Sequence, residues 1–174
     1  MKASTFWKTV VDDRSDFLER IVLFLEEEAV RYCVIGGQGV NAYADPVVSL
    51  DLDIVVAVEQ IPEVEALLSR QFKVERFEHS LNVSAAGSDL RLQIQTDPRY
   101  FDFVERATAR EVLGMTLQVA DVADVLKGKL WAAGDPTRRA SKRLKDIADI
   151  ARIIEVYPSL KDHVPESIRR RLEG

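Results

Sequence analysis

The run Asp51-Leu52-Asp53-Ile54-Val55-Val56-Ala57-Val58 constrains this chain of 174 residues more than any other stretch. It opens with acids alternating with apolar residues and then becomes continuously apolar. Successive side chains of a strand point to opposite faces, so this strand has one wet face at its start and is buried on both faces beyond it. A strand of that kind lies inside a sheet flanked by helices, and the surrounding pattern agrees. Residues 13–31 carry apolar side chains at helical spacing, and Tyr32-Cys33-Val34-Ile35 is a short buried strand stopped by Gly36-Gly37. Residues 38–44 have room for only a short helix before Pro46, and Pro62 lies one turn into a second one that ends near Gln71. Residues 73–77 and 81–84 read as a strand pair, and residues 90–96 alternate over seven positions. Residues 100–109 read as helix, and residues 111–113 and 115–119 as a hairpin around Gly114. Two helices then span residues 121–133 and 141–157, separated by Gly134-Asp135-Pro136, and Pro165 opens a terminal one.

The expected fold class is therefore α/β: a small mixed sheet flanked by helices, with a helical last third. One domain spans residues 1–174, its core about 32–120 and its helical part about 121–174. With 47% hydrophobic and 30% charged residues, the composition excludes a disordered chain. The single cysteine, Cys33, excludes an intrachain disulfide and a cysteine zinc site, and its apolar neighbours make it a core residue. The first residues hold no apolar stretch of signal-peptide length, so a cytoplasmic protein without membrane contact is expected. His79 and His163 lack any nearby nucleophile pattern, and Trp7 and Trp131 read as packing residues.

The net charge of −5 argues against non-specific coating of nucleic acid, but it hides an asymmetry. Residues 127–145 hold Lys127, Lys129, Arg138, Arg139, Lys142, Arg143 and Lys145 against one acid, Asp135. Such a window is either a solvated helical surface or a local anion site.

Gly36-Gly37-Gln38-Gly39 lacks the Gly-Lys-Ser/Thr of a phosphate-binding P-loop. As a dinucleotide loop it matches in spacing, but the helix after it is short and the acids stand at the start of the next strand. The remaining parse joins Gly36-Gly37 to Asp51-Leu52-Asp53. Two carboxylates on one strand face repel each other, and a divalent cation relieves that repulsion. Bare backbone N–H groups where a strand turns into a helix can hold phosphate. Metal oxygens beside a phosphate cradle suit a magnesium–nucleotide complex; the plainer alternative is two aspartates facing solvent at a strand end.

Val34-Ile35-Gly36-Gly37, thirteen intervening residues, then Asp51-Leu52-Asp53-Ile54 resembles the nucleotidyltransferase motif of the DNA polymerase beta superfamily. Lys142-Arg143-Leu144-Lys145-Asp146-Ile147-Ala148-Asp149 resembles the Lys-Asp-Leu-x-Asp helix of its minimal, abortive-infection-toxin type. The resemblance implies that Gly36 and Gly37 contact a nucleoside triphosphate and that Asp51 and Asp53 hold Mg2+ or Mn2+. Lys129, Lys142 and Lys145 would contact the triphosphate. One nucleoside monophosphate would pass to a hydroxyl on RNA, protein or a small molecule, and a cognate antitoxin would be a partner.

Two features depart from that pattern. The family's third carboxylate is expected where residues 90–96 carry Gln93, whose amide oxygen can face a metal but cannot accept a proton. Asp89 and Asp97 lie about 13 Å from it along an extended strand, too far to replace it. Pro46-Val47-Val48-Ser49-Leu50 also stands where a basic residue often precedes the paired acids. The alternative reading is therefore a degenerate module of the same fold that binds nucleotide or protein without transfer. For Asp146, the alternative to a functional role is a helix-surface ion pair with Arg143 or Lys142.

Overall fold

The computed structural model describes residues 16–173, so Trp7 and the first residues of the expected opening helix lie outside the described part. Helix α1 (Phe17–Glu27) leads to β1 (Tyr32–Ile35), the short α2 (Gly36–Asn41) and β2 (Asp51–Val56). Then come α3 (Ile61–Leu68), β3 (Lys73–Arg76), β4 (Ser80–Ser84) and β5 (Arg91–Gln95). A 3-10 segment (Pro98–Arg106) precedes β6 (Thr108–Val112) and β7 (Met115–Val119). The last third is α4 (Val122–Gly134), α5 (Ala140–Val156), a 3-10 segment (Pro158–His163) and α6 (Glu166–Glu173). Among the described residues no helix is long and apolar enough to cross a membrane.

The seven strands of the described residues join one mixed sheet in the order β3-β4-β5-β2-β1-β7-β6. The acid-bearing strand is central: β2 runs antiparallel to β1 and parallel to β5. Its burial follows the sequence pattern, with Asp51 and Asp53 half-buried and Leu52, Ile54, Val55 and Val56 buried. The apolar face continues sideways through Leu81 and Val83 of β4 and Leu92 and Ile94 of β5, all at most 1% exposed. Cys33 is buried in β1, as its neighbours require.

One segment differs from the sequence reading. Residues 100–109 are not one helix, because the 3-10 segment ends at Arg106 and Thr108 already starts β6. Asp97 starts that segment by accepting a hydrogen bond from the Arg99 amide (3.0 Å), and Pro98 pre-sets its first turn. β6 is an edge strand with four exposed residues before Val112, so it shows none of the alternation that marks a half-buried strand. Trp131 packs as expected, stacked on Phe103 and edge-on to Tyr100.

Candidate active site

The antiparallel register sets Ile35 opposite Asp53, so the chain turning out of β1 passes directly over that carboxylate. Gly36 takes a left-handed φ of 65° there, which favours glycine. A Cβ on Gly36 would overlap Asp53 Oδ2 and stand 3.0 Å from its Cγ. Gly36 is thus required twice, by its backbone and by its contact. Gly37 is different: a Cβ there would meet Ser49 Oγ at an ordinary 3.7 Å.

Among the described residues Asp53 Oδ1 is buried without a hydrogen-bond partner. Burial first, and the charge of Asp51 second, push the Asp53 carboxyl up to about 6, against the pull of Lys129, Arg138 and Lys142. Asp51 is more open, accepting a hydrogen bond from Arg91 Nε at 3.1 Å with Lys142 Nζ 3.9 Å away. Two crowded carboxylates, one with an orphaned oxygen, are the hard-oxygen donor set of a divalent cation. Among the described residues no group of three or more His, Cys, Asp or Glu side chains gathers anywhere. A cation at this pair would complete its shell with substrate oxygens and water, as magnesium commonly does.

Gln93 is the parallel-register neighbour of Asp53, and Arg91 that of Asp51. Neither alternative acid reaches that place: Asp89 precedes β5, and Asp97 is bound by Arg99 at 2.8 Å. Gln93 lines a cavity of about 100 Å3 together with Gly36, Asp53, Tyr100, Lys129 and Arg138. Gly128 lets the Tyr100 ring approach α4, since a Cβ there would stand 3.1 Å from Cε1. Burial raises the Tyr100 hydroxyl to about 12, so it remains a hydrogen-bond donor at neutral pH.

The basic window divides. Lys129 is 7% exposed and holds Asp146 at 3.0 Å and Asp149 at 2.8 Å. Burial would lower its pKa, but the two carboxylates outweigh burial and raise it, so Lys129 stays charged. Lys142 reaches Asp51 from α5, whereas Lys145 is exposed, outside the cavity lining and in no ion pair among the described residues. Lys127 turns instead to Asp124, 4.0 Å away.

Asp146 is no helix-surface partner of Arg143 or Lys142. It is 1% exposed and bound by Lys129 and by Arg138 Nε at 2.7 Å. Asp149 is tied to Arg152 Nη1 at 2.8 Å, and Arg152 donates onward to Asn41 of α2. Asn41 in turn donates to the Val47 carbonyl at 2.7 Å, in the loop that feeds β2. The buried charges of α4 and α5 thereby connect to the segment carrying the glycine pair and to the approach to Asp51.

Arg138 is the site residue that sequence reasoning passed over. It belonged to the basic window, but only the fold shows that the turn between α4 and α5 brings it to the Asp53 cavity. Tyr100 carried no chemical signal in the sequence at all.

Comparison by sequence brings no match to a protein-family model or to a characterised protein. Comparison by structure does. The antibiotic-resistance factor ANT(2'')-Ia, seen with adenylyl-2''-tobramycin, superposes with a TM-score of 0.57 at 16% identity, over 90% of this chain and 94% of that one. The lincomycin-bound lincosamide antibiotic adenylyltransferase LnuA matches at 0.53 and 14% identity, over 82% of this chain and 99% of its own. An antigenic nucleotidyltransferase-like protein from Paracoccidioides brasiliensis matches at 0.55 and 18%, over 86% and 75%. Identities this low speak for architecture and not for chemistry. The chain has a nucleotidyltransferase-like fold.

Proposed function

We propose that this protein moves a nucleoside monophosphate from a nucleoside triphosphate to a hydroxyl acceptor. The observation carrying this reading is the Asp53 carboxylate, one oxygen buried with no partner among the described residues, held beside Asp51 under the Gly36 turn. Asp51 and Asp53 would hold Mg2+ or Mn2+, which supplies positive charge to the phosphate oxygens. The backbone of Gly36 and Gly37 would lie against the triphosphate, where the lack of side chains permits a close approach. Arg138 and Lys142 face its charge, while Lys129 holds α5 in place through Asp146 and Asp149.

The acceptor oxygen bonds to the α-phosphorus, the bond from that phosphorus to the bridging oxygen breaks, and pyrophosphate leaves with the electron pair. The hydroxyl proton leaves to solvent, because the Gln93 amide beside Asp53 has no capacity to hold it. The same amide favours a second reading, a module that binds metal–nucleotide and transfers nothing. A toxin role with a cognate antitoxin, and a cytoplasmic location, rest on the sequence resemblance and expectation alone.

The test is incubation with each α-labelled nucleoside triphosphate, total RNA and cell lysate, with magnesium or manganese. A labelled acceptor together with released pyrophosphate supports transfer. Bound nucleotide without either product supports the binding module, and no binding of any nucleotide overturns both readings.

A further inference from the structure

Beyond Asp51 and Asp53 the sheet continues into β5, β4 and β3, and its two faces differ sharply there. One carries Leu92, Ile94, Leu81 and Val83, buried, and Arg76 paired to Glu65 of α3. Alternation and register place Gln93 and Asn82 on the other face in a row that begins at Asp53, with Gln95 and Ser80 in the next row and Ser84 beside Arg91. None of the five amides and hydroxyls is charged. Ser80, Asn82, Ser84 and Gln93 make no side-chain hydrogen bond among the described residues, and Asn82 Oδ1 is buried without a partner. The charges bordering the face cancel in pairs, Lys73 with Glu75 at 3.1 Å and Arg91 with Asp51 at 3.1 Å. Phe77 donates its amide to the Ser80 carbonyl, which continues the β3–β4 register by one pair and brings Phe77 to the face of Ser80. Its ring is 53% exposed.

Amides and hydroxyls both donate and accept, which matches the double capacity of an alcohol. A phosphate backbone needs a run of unpaired cations along its path, and among the described residues Lys73 and Arg91 on this face each stand against a carboxylate. An exposed ring at the far end suits the apolar side of a ring-shaped molecule. We infer that this face seats the acceptor, an uncharged, hydroxyl-rich small molecule of the saccharide or cyclic-polyol class, with one hydroxyl toward Asp53. The inference rests on the transfer reading above and names its substrate class.

The test uses 15N-labelled protein, with side-chain amide resonances assigned, titrated with glucose, maltose, N-acetylglucosamine and myo-inositol up to tens of millimolar. At least one of them should shift the Asn82, Gln93 and Gln95 side-chain amides. Asn82→Ala should then weaken that ligand about fivefold or more, and Phe77→Ala should do so for maltose, the probe long enough to span toward β3, while both keep a dispersed, folded spectrum. Silence at these amides with all four probes overturns the inference, as does a single-stranded RNA oligonucleotide shifting them instead. A separate titration of the wild type with a magnesium–nucleotide complex reads residues 36–37 and 51–53. Failure there with saccharide shifts intact counts against the transfer reading and leaves the face as a saccharide site.

Discussion

Replacing Asp53 with Asn should make the metal-free protein more stable at neutral pH. Burial and Asp51 hold the Asp53 carboxyl at about 6, against an ordinary 3.8. A carboxyl held high keeps its proton in the folded state over a range where the unfolded chain has lost it. Well below pH 4 both states are protonated and the group costs nothing. As pH rises from about 4 to about 6 the unfolded state ionises first, and folding loses free energy. Above that window the loss is complete, and a displacement from 3.8 to about 6 corresponds to about 3 kcal/mol. Asp53→Asn removes the charge at nearly constant shape, so urea unfolding at pH 7 should show it more stable by about 2–3 kcal/mol. At pH 4 the two proteins should be close, and magnesium with nucleotide should narrow the gap at pH 7 by stabilising only the wild type. An advantage for the variant that is absent at pH 7, or constant from pH 4 to pH 8, would refute the placement of a desolvated carboxylate here.

Gly36→Ala should lose about 2 kcal/mol or more in urea unfolding, from its left-handed backbone and the overlap with Asp53, while Gly37→Ala stays within about 1 kcal/mol. Lys129→Met leaves Asp146 and Asp149 buried with only their arginines and should lose about 3 kcal/mol in the same measurement. Lys142→Gln should weaken nucleotide binding several-fold at low salt and less at high salt, read by fluorescent-nucleotide titration. Lys145→Gln should not, because Lys145 is exposed and, unlike Lys142, does not reach Asp51. Gln93→Asp adds a proton acceptor beside Asp53, and the rate of labelled transfer should rise, by up to about 10²-fold.

The paired aspartates and the glycines were legible because each left a local pattern: alternation that turned continuous at Ile54, and a strand halted at Gly36. Register then did the rest, setting Ile35 opposite Asp53 and Gln93 beside it. For Asp146 the sequence left a functional role and a helix-surface ion pair both open, for a physical reason. An i, i+3 pair of acids among lysines looks the same in sequence whether the stripe faces water or a buried lysine of another helix. Only the packing of α4 on α5 makes Lys129 their partner. The start of β6 was hidden because an exposed edge strand carries no apolar alternation, and Arg138 because its position depends on how a turn closes.

Transfer at this site requires that Asp51 and Asp53 together hold a divalent cation with nucleotide. Titration calorimetry of Mg2+ and Mn2+ into the protein, with and without a non-hydrolysable nucleoside triphosphate, measures this directly. The wild type should bind the cation weakly alone and at least tenfold more tightly with nucleotide present, since substrate phosphates complete the shell. Asp51→Asn and Asp53→Asn should each abolish the cation-dependent heat. Heat unchanged in either variant, or a cation affinity indifferent to nucleotide, would contradict the account.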